Sequence, residues 1–126
     1  VTEQFKLKDP FNVHPDGGLA TLVVGVGVSA YPQGGNSAVS LIYQDGRGEP
    51  ISLSLPEHEH RLAEGEFFVK HWADRKHIVE RLVAVGLLRF SLKPRVNSGH
   101  VDVPIAVLDN AKLTNFSQRE LSRYRP

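Results

Sequence analysis

Apolar and polar residues alternate with a period of two through most of the middle of this chain. Between Thr21 and Ser29 (T-L-V-V-G-V-G-V-S), Leu22, Val24, Val26 and Val28 fall on one side and Gly25 and Gly27 on the other. This predicts a strand whose glycines admit a bulge or the close approach of another backbone. In Ala38 to Gln44, Val39, Leu41 and Tyr43 alternate with smaller residues. In Glu49 to Leu55, Ile51, Leu53 and Leu55 alternate with Ser52 and Ser54. Asp45-Gly46-Arg47-Gly48 lies between these runs, and a link of that length and glycine content predicts a hairpin with a type I turn and a bulge. Pro56 then closes the second strand.

Glu57 to Gly65 is a charged connection, and Glu66 to Lys70 (E-F-F-V-K) reads as a short strand with Phe67 and Val69 on one side. The period then changes. Ile78, Leu82 and Val85 recur at i, i+4 and i+7, flanked by Val79 and Val83, which predicts a helix with Asp74 as N-cap and Gly86 as its stop. Leu88, Phe90 and Leu92 return to alternation, Pro94 to Gly99 reads as a loop, and Val101, Val103, Ile105 and Val107 form a further alternating set. Pro104 inside that set predicts an edge strand or a bulge.

The two ends read differently. Residues 1–18 are polar and broken by Pro10, Pro15, Gly17 and Gly18, so they are expected to be an arm or lead-in loop. Tyr31 to Asn36 is a loop by its proline and glycine content. Near the other end, Ser117-Gln118-Arg119-Glu120 matches a capping box between Phe116 and Leu121, which predicts a short helix within residues 109–126.

The predicted order is four strands, a helix, two strands and a short helix. The expected fold is α+β: a mainly antiparallel sheet of about six strands, strongly curved or barrel-like in one version, with one packed helix. Residues 1–126 are expected to form a single domain, with an arm at 1–18, a core at 19–108 and a tail at 109–126.

Composition narrows the class of protein. A length of 126 residues suits one domain, and 40% apolar with 23% charged residues argues against wholesale disorder. No run approaches the roughly 18 apolar residues of a membrane span, so no membrane partner is expected. The first residues hold no apolar core of a secretory signal. The chain contains no cysteine, which removes disulfides, thiolate metal sites and cysteine nucleophiles together. A cytoplasmic location is the resulting expectation. The formal net charge of +1 is too balanced to imply nucleic-acid binding from bulk charge alone.

One set of blocks resembles a known family. Ser54-Leu55-Pro56, then Glu64-Gly65-Glu66-Phe67-Phe68-Val69-Lys70, then Trp72 and a helix ending in Val85-Gly86-Leu87, then Gly99-His100-Val101-Asp102-Val103-Pro104, follow one another over residues 37–108. This succession is similar to a family of small bacterial proteins of unknown function encoded largely on plasmids, phages and other mobile elements. The lead-in Ala73-Asp74-Arg75-Lys76-His77 departs from that family's more acidic stretch. The resemblance implies a fold and a mobile-element setting, with an accessory role as the expectation, and it implies no activity.

Candidate chemistry is sparse. Gly25-x-Gly27-x-x-Ala30 matches a dinucleotide-binding pattern, but that mechanism needs a helix starting at the second glycine, and no helical period follows. His58-Glu59-His60 puts two imidazoles on one face if extended, and with His71, His77 or His100 a divalent ion could be held. A solvated acidic-histidine loop is the better reading of those residues. His77 with Asp74 and Glu80 would make a helix-borne acid–base set, yet Asp74 has a capping role open to it and Glu80 stands four residues after Lys76. Ser37, Ser40, Ser52 and Ser54 fill polar strand faces and none sits in a nucleophile elbow.

Two surfaces remain. If Phe67 is core, Phe68 faces the other way, where either a second layer covers it or it joins Trp72 as an exposed aromatic patch. The tail offers Phe116, Arg119, Arg123 and Tyr124. These six residues are the candidate partner-binding set. The expected function is non-enzymatic, without cofactor or metal: a binding or accessory protein acting through contact with a protein partner or another copy of itself, of the type that inhibits or modulates a host defence system. A nucleic-acid module is the first alternative and requires Arg119, Arg123 and Arg125 to join Lys70, Arg75, Lys76, Arg89 and Lys93 in one basic stripe. A histidine-dependent metal protein or small enzyme is the second.

Overall fold

The computed structural model describes residues 3–15, 18–31 and 37–115. Its strands are β1 (Glu3–Val13), β2 (Thr21–Ala30), β3 (Ser37–Tyr43), β4 (Gly48–Pro50), β5 (Ser52–Leu53), β6 (Glu66–Val69), β7 (Leu88–Phe90), β8 (Val96–Ser98), β9 (Val101–Val103), β10 (Ile105–Leu108) and β11 (Leu113–Asn115). One α-helix, α1 (Lys76–Ala84), lies between β6 and β7. All strand pairs among the described residues are antiparallel. The fold is therefore α+β, as expected, and it does not close into a barrel.

The strands form two larger sheets and a ribbon. Sheet one runs β11-β1-β2-β3-β4, sheet two runs β5-β6-β10-β7, and β8 pairs with β9. The main core lies between the two sheets and α1. It holds Leu7, Phe11 and Val13 of β1, Val23 and Val26 of β2, Val39, Leu41 and Tyr43 of β3, Phe67 and Val69 of β6, and Ile78, Val79 and Leu82 of α1. A second cluster, on the opposite face of sheet two, gathers Leu55, Phe68, Val96, Val103 and Ile105, with Leu62 and Trp72 packed against it. The alternation along β6 feeds both layers: Phe67 and Val69 enter the first, Phe68 the second.

Several expectations are corrected. The arm expected at 1–18 is instead strand β1 through most of its length, paired with β2 and β11. Pro10 does not break it, because the β1–β2 register shifts between Lys6 and Phe11, and the bulge there takes up a residue that has no N–H to offer the ladder. In β2, Val23 and Val26 enter the core cluster, and the single face expected for Leu22, Val24, Val26 and Val28 does not form. A second shift between Val23 and Gly25 changes the phase of the alternation.

The run Glu49–Leu55 is not one strand. It leaves sheet one after Pro50 and enters sheet two at Ser52. Val101–Val107 is likewise divided at Pro104, and β10 lies inside sheet two between β6 and β7, so the edge expected there is absent. The loop expected at 94–99 contains β8, and the alternation expected to reach Leu92 stops at Phe90, leaving Leu92 fully exposed at 104%.

The hairpin at Asp45–Gly48 forms as predicted. Tyr43 N donates to Arg47 O at 2.9 Å and Gly46 N to Tyr43 O at 2.9 Å, with Gly46 at φ 91°. The helix forms too, but Asp74 lies in a 3-10 turn (Ala73–Arg75) that precedes it, and Arg75 occupies the N-cap position. Gly86, at φ 83°, stops it: Gly86 N donates to Val83 O and Leu87 N to Leu82 O, each at 3.0 Å. The capping box at Ser117–Glu120 lies outside the described residues.

Candidate functional site

Where β1, β2 and β3 face the near ends of β6, β10 and β7, the two sheets stand apart and leave an open cleft of about 330 Å³. That volume is at the low end of ligand-binding pockets, which run from about 300 to 1,000 Å³. Phe5, Val28 and Val39 form the wall on sheet one, and Phe67 and Leu108 the wall on sheet two. Strand alternation explains the apolar walls: Phe5, Val28, Val39, Phe67 and Leu108 point between the sheets, while Val107, next to Leu108 on β10, borders the cleft from the rim. Glu3, Glu64 and Arg89 supply charge at the cleft, and Ser37 and Asn110 supply neutral hydrogen-bonding groups. Phe5 and Asn110 also border an adjoining hollow of about 350 Å³, lined further by Leu113 and Thr114 of β11.

Away from the cleft, a polar belt ties α1 and its lead-in to both sheets. Arg75 Nη2 lies 3.1 Å from Glu49 Oε2. The Arg47 guanidinium sits 5.5 Å from the centre of the Tyr43 ring. The Tyr43 hydroxyl is buried beside the Glu49 carboxylate. Burial first, and the Glu49 charge second, push its pKa up to about 12.

His71 stands between a carboxylate and a guanidinium. Its Nε2 is 3.5 Å from Glu80 Oε1, and Arg95 Nη2 donates to its Nδ1 at 3.4 Å. The ring packs 5.2 Å from that of Phe90. On β6, the Glu66 carboxylate receives Lys93 Nζ at 2.5 Å and Ala63 N at 2.6 Å. Burial alone would raise the Glu66 pKa, but the hydrogen bonds from Lys93 and Ala63 N–H, with the Lys93 charge, outweigh it and hold it below 4.5.

The helix-borne acid–base set does not assemble. His77 Nε2 donates to His14 O at 2.6 Å, and Glu80 faces His71. His58 and His60 lie on a 3-10 turn (Pro56–Arg61), where residues two apart point in different directions, so the extended spacing that would align them is absent. Among the described residues no three histidine or carboxylate side chains converge as a metal site requires. Gly25 and Gly27 are buried inside β2, paired to β1 on one side and β3 on the other, and no helix begins at them.

No protein-family model, curated protein or solved structure matches this chain. The reading of its function therefore rests on its own residues.

Of the six candidate partner-binding residues, Phe68 is corrected. It is 1% exposed, because Leu55, Val96, Val103 and Ile105 cover the outer face of sheet two. Trp72 is half-buried against the same cluster. The aromatic patch is thus part of a second core. Phe116, Arg119, Arg123 and Tyr124 lie outside the described residues. Of the described members of the basic stripe, Arg75 and Lys93 are paired with Glu49 and Glu66, and Arg89 lines the cleft. Among the described residues no helix is long and apolar enough to cross a membrane.

The cleft itself was not anticipated. Val28 reads in the sequence as an ordinary core position, because alternation reports which side a residue faces and not whether the facing sheet reaches it.

Proposed function

We propose that this chain is a non-catalytic binding domain that receives an apolar segment of a protein partner in the cleft between its two sheets. The observation that carries this reading is the cleft's construction: aliphatic and aromatic side chains from both sheets line an open cavity with carboxylates and one arginine beside them. Such a surface rewards an extended or looped segment with a few apolar anchors, because burying each anchor returns roughly 1.5–3 kcal/mol while the flanking charges fix its orientation. The described lining holds one hydroxyl, Ser37, and no histidine, so it offers binding groups without a paired nucleophile and base. An accessory role in the cytoplasm, of the kind implied by the block resemblance over residues 37–108, is compatible with this chemistry.

The test is a photo-crosslinking amino acid placed at Asn110, on the cleft, and separately at Leu92, past the other end of β7. A partner captured from Asn110, not from Leu92, and lost when Val28→Arg puts a charge into the cleft of a chain that still melts cooperatively, supports the reading. A partner captured equally from Leu92, or undisturbed by Val28→Arg, removes it.

A further inference from the structure

The described chain leaves β11 beside the cleft. Asn115 is paired with Phe5, the last pair of the antiparallel register Leu7↔Leu113, Lys6↔Thr114, Phe5↔Asn115. Phe5 and Glu3 are both lining residues of the cleft. The adjoining hollow bordered by Leu113 and Thr114 shares Phe5 and Asn110 with it, so one groove leads from the last described residues into the space between the sheets.

We infer that the occupant of this cleft in the isolated protein is the chain's own segment 116–126. Its sequence, F-S-Q-R-E-L-S-R-Y-R-P, carries apolar anchors at Phe116, Leu121 and Tyr124 and cations at Arg119, Arg123 and Arg125. The charges match: the cleft offers Glu3 and Glu64 to those arginines, and Arg89 to the segment's one carboxylate, Glu120. Length suffices as well, since eleven residues extend to about 36 Å at roughly 3.3 Å each, against a spacing of about 10 Å between packed sheets. The apolar walls then gain cover without a partner, and a partner that binds the cleft has to displace the segment. Only that last step rests on the function proposed above; the docking does not.

The absence of cysteine makes the experiment direct. A nitroxide is attached to Ser122→Cys in the full chain, and the methyl resonances of Val28, Val39 and Leu108, which line the cleft, are compared with those of Val101 on the β8–β9 ribbon. Loss of intensity at the three cleft residues, with Val101 unchanged, is the expected result, and it should diminish when Arg119, Arg123 and Arg125 are all changed to Glu. Equal loss at all four residues, or at none, overturns the inference. So does cleft broadening in a mixture of spin-labelled and isotope-labelled chains, which would make the occupant a second copy. Cleft broadening together with failure of the crosslinking test would keep this docking and discard the partner.

Discussion

Ser52 Oγ accepts the hydrogen bond of Val39 N, at 2.8 Å, in the place where an Ile51 carbonyl would ordinarily stand. Ile51 N donates to Val39 O at 3.0 Å, so an antiparallel ladder would return the bond from Val39 N to Ile51 O. Ile51 O has instead turned to sheet two, where it accepts from Lys70 N at 2.9 Å. The chain crosses between sheets at this residue, and the Ser52 hydroxyl, also 2.7 Å from Tyr31 Oη, fills the vacated acceptor position. Ser52 is 3% exposed, so the expectation that it fills a polar strand face is corrected.

Removing that hydroxyl should leave the Val39 N–H buried without an acceptor. Ser52→Ala is expected to destabilise the fold by about 1–3 kcal/mol in urea denaturation, and Tyr31→Phe by less, since it leaves the Val39 bond intact. An unchanged Ser52→Ala midpoint would contradict this account of the crossing.

Phe68 and Leu92 should part in the same assay. Phe68→Ala empties the centre of the second cluster and is expected to cost about 3–5 kcal/mol. Leu92→Ser removes a side chain already in water and should stay within about 0.5 kcal/mol of the unaltered chain. Were Phe68→Ala to retain full stability, Phe68 would return to the list of surface candidates.

Acid should weaken the fold partly through Glu66. Its pKa is depressed in the folded state, so its contribution is complete above its unfolded value, near the ordinary 4.5, and is lost as pH falls through the folded value. Glu66→Gln abolishes the titration. Melting temperatures measured from about pH 6 down to pH 3 should therefore fall more steeply for the unaltered chain than for Glu66→Gln. Parallel curves would mean that the Lys93 and Ala63 contacts do not favour the charged form.

Two positions with positive φ flank the helix and should respond oppositely. Gly86→Ala is expected to cost about 1–2 kcal/mol, the penalty of a left-handed L-residue. The added Cβ would lie 3.5 Å from Lys112 Cε, an ordinary contact, so conformation alone sets the cost. Ala73, at φ 48°, already bears that strain, and Ala73→Gly should relieve part of it, raising the melting temperature. A lower melting temperature for Ala73→Gly would show that the lost unfolded-state restriction outweighs the strain.

The local elements were legible because their causes are local. The hairpin at Asp45–Gly48, the helix stop at Gly86 and the two-sided burial along Glu66–Val69 all follow from φ preferences and from the two-residue period of a strand. The errors share another cause. Pro10 and Pro104 read as breaks or edges in one dimension, yet one falls in a bulge and the other between two sheets, where the missing N–H costs nothing. The same alternation that placed Ile51 and Leu53 on one strand gave no sign that the chain changes sheets between them, because the carbonyl that turns away belongs to a backbone common to every residue type.

By itself, then, the sequence determined the class of fold, the antiparallel pairing, the helix and the faces of the short strands, since these depend on neighbours within a few residues. The tertiary structure alone decided that Phe68 is covered, that β1 is a strand inside sheet one, and that the sheets part beside Phe5 and Leu108 to leave a cleft. Each of those depends on what residues far along the chain bring opposite, and a periodic pattern records which way a side chain points without recording what it meets.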